Sequence, residues 1–438
     1  MQQVFGAFLR FLKFHYQNNL FINRISSVLA IDMLVKLSGF ILIPIYLRLM
    51  NQAEFGLYNY LLSILATFSL VLNFGLYMPL AKMYHDASDT YQKGRLLFTI
   101  SCTLISLMFL IITPLYLFKA DYFLVNILFK NKFDYGNYRM IIIMALCITI
   151  LSFMLTNYFF STEKISAVKK YNLSRIIIVN IAVLTGLYFT PGDKVHIRLA
   201  ITYIVELLIF FAFIYFLVKE TVPVFDIKIA TQALKLGWPI MLSAMLGIVI
   251  NFSDKFFLEK FGGFTELSSY YLAASFAGIL SVIVASIQNA WLPLFMKEKD
   301  LNQNVAKTKK LVKQLFFIFL GISIGIYLLF YILIRLGIIP QKYFQVLFIL
   351  PILLITQIFS SMTPFLSNYL VYFQKTYLVS LAGLIVCCVS LGASYYLVPR
   401  WGVYGAASAA LVSNFSYLLL YYFIVKKIIN KYFKTQYP

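Results

Sequence analysis

The chain has 438 residues, of which 61% are hydrophobic and only 12% charged, and its mean hydropathy is +0.84. Soluble domains carry roughly a quarter charged residues, so this composition excludes a soluble fold and makes lipid the solvent for most of the surface. The net charge of +21 would suit a nucleic-acid partner only if basic residues gathered on one soluble face; here they sit between apolar spans, where they fix orientation and meet anionic lipid.

Residues 1–26 mix Phe and Leu with Arg10, Lys13 and Arg24. They are too polar to span and too amphipathic for a cleaved signal, and are expected to form an interfacial helix on the cytoplasmic face. Apolar spans follow at about 27–49, 55–79, 95–118, 139–160, 174–190, 197–218, 236–258, 266–292, 311–335, 344–370, 377–398 and 401–425, each of roughly membrane-crossing length. Twelve spans put both ends on one side, and Lys and Arg favour that side by about two to one, which predicts cytoplasmic termini. The expected organisation is an all-α membrane protein with an N-terminal lobe over 27–218, a cytoplasmic linker over 219–235, a C-terminal lobe over 236–425 and a basic cytoplasmic tail over 426–438.

The two halves read as copies. Glu54 and Tyr58 in EFGLY align with Glu266 and Tyr270 in ELSSY, and Met78-Pro79-Leu80 aligns with Leu292-Pro293-Leu294. Each half has six spans, so the copies share one orientation, with an axis along the membrane normal and a substrate path between them.

Asp32, Lys36 and Gly39 share a helix face in the first span, with Lys36 ~14 Å inside at the helical rise. An ionised group at that depth is costly and should face a bundle interior or wet cavity, unless the Asp32–Lys36 pair merely neutralises itself. Glu206 is the deepest acid without an evident partner; a carboxyl changing protonation there suits ion coupling, and a hydrogen bond to a neighbouring helix is the plainer role. Asp254 and Lys255 come near the end of the seventh span, and Asn251, Gly247 and Ala244 complete a polar or small face with Asp254. The pair either snorkels to the outer interface or rims a cavity. Arg48 and Lys313, near span ends, suit interfacial anchoring, with Arg48 kept as a cavity candidate.

Polar and small residues repeat at helical spacing in later spans: Tyr271, Ser275, Gly278, Ser281, Ala285 and Gln288; then Gln357, Ser360, Pro364 and Ser367; then Ser380, Gly383, Cys387, Ser390 and Ser394. One such stripe is ordinary helix packing; three make a hydrophilic interior. Cys102, Cys147, Cys387 and Cys388 lie inside apolar spans and read as small hydrophobes, and His15, His85 and His196 are widely separated. No metal site, phosphate loop or nucleophile constellation is present in the sequence pattern.

The stretches GFILIPIYLRLMNQAEFGLYNY and NFGLYMPLAKMY, then LGWPIML, NFSDKFFLEKFGG, YYLAASFAGIL and AWLPLF, resemble the polysaccharide biosynthesis exporters. These are the O-antigen or lipid-linked oligosaccharide flippases of the multidrug/oligosaccharidyl-lipid/polysaccharide exporter superfamily. The resemblance covers essentially the whole chain. It implies a MATE-like pair of six-helix lobes around a cavity that opens alternately to each side of a bacterial inner membrane. The implied substrate is undecaprenyl pyrophosphate carrying a short glycan, moved to the periplasmic leaflet, with other polysaccharide-assembly membrane proteins as candidate partners. Two phosphates cannot cross hydrocarbon, so fixed cations such as Lys36 would replace their hydration. The departure is that no second Arg or Lys stands at the depth of Lys36.

The substrate-cavity candidates are therefore Lys36, Asp32, Arg48, Asn251, Asp254, Lys255, Gln288 and Gln357, and the ion-coupling candidates Glu206, Asp32 and Asp254. No cofactor is expected; H+ or Na+ is the open choice of coupling ion. A multidrug antiporter of the same superfamily would use those acids in an acidic chamber, which Lys36 opposes. A peptidoglycan precursor flippase would carry two further spans. A membrane-embedded enzyme of glycan assembly would show a larger outer loop than the stretch from Lys119 to Tyr138.

Overall fold

The computed structural model describes residues 39–436 apart from Lys132, Lys299 and Thr376. Residues 1–26, Asp32 and Lys36 lie outside the described residues. Within them the regular structure is helical, without strands, as lipid demands: only helices and closed barrels satisfy every backbone N–H and C=O without water.

The helices in chain order are α1 (Gly39–Leu49), α2 (Gln52–Leu72), α3 (Tyr77–Asp86), α4 (Thr90–Leu117), α5 (Ala120–Leu128), α6 (Tyr135–Ser161) and α7 (Ile165–Phe189). The second half brings α8 (Lys194–Val218), α9 (Ile227–Phe261), α10 (Phe264–Ala277), α11 (Ile279–Lys297), α12 (Leu301–Arg335), α13 (Val346–Tyr372) and α14 (Tyr377–Gln436). Counting α10 with α11, 10 of these helices among the described residues are long and apolar enough to cross a membrane. At 60 residues, α14 would run about 90 Å if straight. Gly402 breaks it with φ 50° and ψ −127°, folding it at the junction expected between the last two spans. The short α1 is the described part of the first expected span.

Helix starts follow the polar residues in front of them. Asn51 and Glu54 form a capping box on α2, and Asp89, Asp193, Asp226 and Asp300 accept from the first free amides of α4, α8, α9 and α12. The Asp226 cap starts α9 at Ile227, so half of the expected 219–235 linker is helix. The chain thus alternates between a terminal end, which carries 219–226, 298–300 and the C-terminus, and a distal end, which carries 129–134, 262–263, 336–345 and Gly402. At the distal end Arg139 pairs with Asp121 at 2.6 Å. Burial pushes the Asp121 carboxyl up, but hydrogen bonds from Arg139 and Tyr135 prevail and hold it below its ordinary value.

Large apolar side chains such as Ile41, Phe118, Tyr188 and Phe189 point outward, which is how a lipid-facing surface is built. Between helices in lipid there is little hydrophobic force, so contact depends on close packing through small residues. The two halves meet this way along α2. A Cβ on Gly56 would lie 1.8 Å from the Phe264 carbonyl oxygen and 3.0 Å from the Ser268 amide nitrogen on α10. Gly56 and Ser268 are equivalent positions in the aligned EFGLY and ELSSY segments, so the two copies touch at corresponding points, as halves related by an axis must. Deeper along the seam Tyr271 Oη donates to Ser63 Oγ at 2.8 Å and Tyr60 stacks on Phe252. Towards the terminal end the turn at Phe74 and Gly75, where Gly75 has φ 66°, abuts Gly237 of α9, whose Cβ would lie 2.3 Å from the Phe74 oxygen.

Gly56→Ala is expected to lower stability by about 1–3 kcal/mol by overpacking this seam, read as a lower Tm in detergent. Gly247→Ala, with open space around its Cβ position, serves as the control; equal Tm values for the two would show that the seam yields.

Candidate functional site

The face of α9 formed by Gly247, Asn251 and Lys255 stands at the meeting of two cavities. One, of about 370 Å³, lies between the halves and is walled by Ser63, Thr67 and Leu70 of α2 opposite Asn251, Phe252 and Lys255 of α9. The other, of about 360 Å³, lies within the second half among α9, α13 and α14, with Ser243, Ser360, Ser380, Asn414 and Tyr417 in its wall. Gly247 and Asn251 border both. Asn251 sits ~15 Å from the distal end of α9 at the helical rise, so the cavities are at mid-depth of the bundle.

Lys255 is the cation of this site. Its Nζ donates to the Asn251 carbonyl at 2.6 Å and to Asp254 Oδ1 at 3.1 Å. Asp254 is buried and also accepts from the Tyr270 hydroxyl. The pair is turned inward: its carboxylate is sealed beneath α10 and its ammonium is left at the wall of the cavity between the halves. A carboxylate already taken by an ammonium and a phenol is a positioning group for Lys255 rather than a free cation site.

The distal end above this site is closed by bonds between the halves. Glu259, at 0% exposure, accepts from the backbone amides of Lys130 at 2.9 Å and Asn131 at 2.8 Å, and Asn131 Nδ2 donates to its carbonyl at 2.7 Å. Arg48 Nη2 donates to the Gly337 carbonyl at 2.8 Å, Gln52 Nε2 to the Lys342 carbonyl at 2.6 Å, and Lys342 Nζ to the Met50 carbonyl at 3.2 Å. Arg48 is thus a clasp between α1 and the loop after α12, and it lines neither cavity. Glu259 escaped the sequence reading because it follows the seventh span and looks like one more loop acid; its partners are backbone amides of a distant loop, which leave no side-chain signature.

The remaining candidates fall elsewhere. Gln288 Nε2 donates to Asn368 Oδ1 at 2.8 Å inside the second half, and Gln357 is half-buried on α13; neither lines the two cavities. Glu206 is corrected from an acid without a partner to a bound one: Arg175 reaches it through Nη2 at 2.5 Å and Nε at 3.1 Å. Arg175, at the start of the span expected over 174–190, opens a π-helical turn, Arg175–Val179, inside α7. Such turns insert a residue and redirect side chains, and this one aims a guanidinium at α8. A second cation, Arg198, near the start of α8, lies between the rings of Tyr46 and Tyr58 at 3.7 and 3.8 Å. Among the described residues no group of three or more His, Cys, Asp or Glu could hold a metal ion.

Two outcomes follow. Glu259→Gln removes a charge-assisted acceptor pair worth roughly 1.5–3 kcal/mol. Labelling of Ser63→Cys by an impermeant thiol reagent from the distal side, with the native cysteines replaced, should accelerate about tenfold or more at that energy; unchanged labelling would show that Glu259 does not hold this end shut. Glu206→Leu should cost on the order of 2–3 kcal/mol, less than a fully buried pair because Arg175 is 33% exposed. Arg175→Met added to Glu206→Leu should restore most of that loss in thermal unfolding, and a strictly additive double variant would refute the coupling.

Against known proteins, the sequence matches the family described as polysaccharide biosynthesis protein over residues 21–299, well over half of the chain. No curated protein matches it in sequence. Among solved structures it is similar to the lipid II flippase MurJ in an inward closed conformation, with TM-score 0.70 and 17% identity over 90% of this chain and 87% of that one. It is also similar to an inward-facing multidrug resistance MATE family transporter of the MOP superfamily, with TM-score 0.64 and 14% identity over 92% and 99%. A third is a MOP superfamily transporter from Pyrococcus furiosus, with TM-score 0.60 and 14% identity over 93% and 95%. These neighbours are flippases and transporters rather than enzymes, and at such identities they establish the fold; the family match establishes that this chain belongs to the polysaccharide biosynthesis protein family.

Proposed function

We propose that the chain is a flippase that moves undecaprenyl-pyrophosphate-linked oligosaccharide units from the cytoplasmic to the periplasmic leaflet of a bacterial inner membrane, for O-antigen, capsule or exopolysaccharide assembly. The observation that carries this reading is the mid-depth cavity between the halves, lined by the Lys255 ammonium and closed at its distal end by bonds between the halves. A fixed cation in a wet cleft between two packed halves is what an anionic headgroup needs in order to leave water, while its polyprenyl tail stays in lipid. The polysaccharide biosynthesis family match and a fold shared with a lipid II flippase support it.

Movement would follow from the way the halves are joined. The seam along α2 is a close backbone contact at Gly56, and the distal clasps are individual hydrogen bonds from loops and helix ends. Breaking those clasps while the seam rocks would expose Lys255 to the distal side, the alternating access that repeat-built transporters use at their midplane sites. In this reading the distal end is periplasmic, Lys36 is a further cation for the pyrophosphate, and H+ or Na+ is the coupling ion to be sought. A multidrug antiporter would instead need a free acid in the chamber; among the described residues lining the two cavities there is no Asp or Glu.

The test is deletion of the gene in its host, followed by leaflet assignment of the lipid-linked glycans with an impermeant glycan-binding probe on oriented vesicles. Complete units confined to the cytoplasmic leaflet, released by the wild-type chain, are expected. Lys255→Ala should lower that release about tenfold or more by removing a charge-assisted contact while leaving the protein inserted. Normal outer-leaflet glycan with new sensitivity to organic cations would assign an antiporter, and accumulation of truncated glycan an assembly enzyme.

A further inference from the structure

We infer that the cavity within the second half is a neutral sugar subsite: it receives an uncharged glycan residue of the substrate while the pyrophosphate stays beside Lys255 in the adjoining cavity. This rests on the flippase reading and goes beyond it by dividing the substrate between two chambers.

The first argument is that the cavity is kept open. Glycines at membrane helix contacts ordinarily let backbones touch, and in this chain Gly56, Gly237 and Gly405 do so, with backbone oxygens 1.8, 2.3 and 2.1 Å from a built Cβ. Gly247 has no atom within 4 Å of that position, and Gly383 only Leu246 Cδ1 at 3.8 Å and Tyr417 Oη at 3.9 Å. The small residues of α9 and α14 therefore face space. That space, about 360 Å³, falls within the roughly 300–1,000 Å³ of ligand sites.

The second argument is the chemistry of the wall. It contains hydroxyls and amides from three helices, among them Ser243, Ser360, Ser380, Asn251, Asn414 and Tyr417, and no Asp, Glu, Lys or Arg. Ser243 and Ser380 expose their side chains here and make no hydrogen bond within the described structure. An organic cation would find no counter-charge and a phosphate no cation. A ligand rich in hydroxyls, with both donors and acceptors, meets groups of the same kind, with the Tyr417 and Tyr421 rings offering apolar faces for the C–H side of a pyranose. The shared border at Gly247 and Asn251 gives the connection a sugar joined to pyrophosphate requires.

The test compares two probes on purified protein in nanodiscs by native mass spectrometry: undecaprenyl pyrophosphate, and the lipid-linked oligosaccharide fraction extracted from the host deletion strain. Wild type should hold the glycan-bearing lipid about tenfold more tightly, the worth of roughly two net hydrogen bonds. Ser380→Leu/Gly383→Val, which fills the cavity, should bring the two affinities within about twofold while leaving undecaprenyl pyrophosphate binding unchanged. Should the filled variant lose both lipids through misfolding, Ser380→Ala/Asn414→Ala, which removes polar groups and keeps the shape, decides by the same ratio. A retained preference in the deciding variant overturns the subsite, as does a wild type without preference, in which case the flippase reading stands. A wild type that binds neither lipid removes both.

Discussion

The contact on which the rest of this molecule depends is the backbone approach of α2 to α10 at Gly56 and Phe264. Apolar side chains gain little by leaving lipid for one another, so two halves stay together only where their atoms reach van der Waals distance over a length of helix. The absence of a side chain at Gly56 permits that approach. It brings the Ser63–Tyr271 bond and the Tyr60–Phe252 stack into register. The same crossing leaves α9 standing a little away from α2 further along, and that gap is the cavity.

The polar groups divide into those that hold the halves and those that face the gap. Glu259, Arg48, Gln52 and Lys342 all find backbone partners across the distal end. Single bonds of this kind can exchange for water, whereas the glycine seam has no substitute partner. Lys255 belongs to the second group, since Asp254 and the Asn251 carbonyl hold its ammonium at the wall without removing it from the cavity. Arg175–Glu206 belongs to neither: it sits in the first half, created by the π turn of α7.

The neutral cavity behind Asn251 gives the site a chemical gradient. Charge lies in the chamber between the halves and hydroxyls lie in the chamber within the second half. A substrate with an anionic head and a neutral, hydrated appendage matches that order, and the matching follows from the stripes on α13 and α14 facing one side of α9 while α2 faces the other.

Much of this was legible in the sequence. Composition compelled a membrane protein, apolar runs of crossing length marked its helices, of which 10 among the described residues are long and apolar enough to span, and the alignment of Glu54 and Tyr58 with Glu266 and Tyr270 paired two segments that the fold brings together at Gly56 and Ser268. Helical spacing read Ala244, Gly247, Asn251 and Asp254 as one face; Gly247 and Asn251 do line the cavities, but Lys255 joins them there while Asp254 is buried. What sequence could not decide was partnership. Whether Glu206 stood alone turned on a π turn that aims Arg175 across to α8, which spacing along one segment does not show. Whether Arg48 lined a cavity turned on a carbonyl 289 residues away. Whether a stripe of small residues meant packing or space turned on how far the opposing helix stood off, close at Gly56 and distant at Gly383. Spacing along one helix determines which residues share a face; only the packing of the others determines what that face meets.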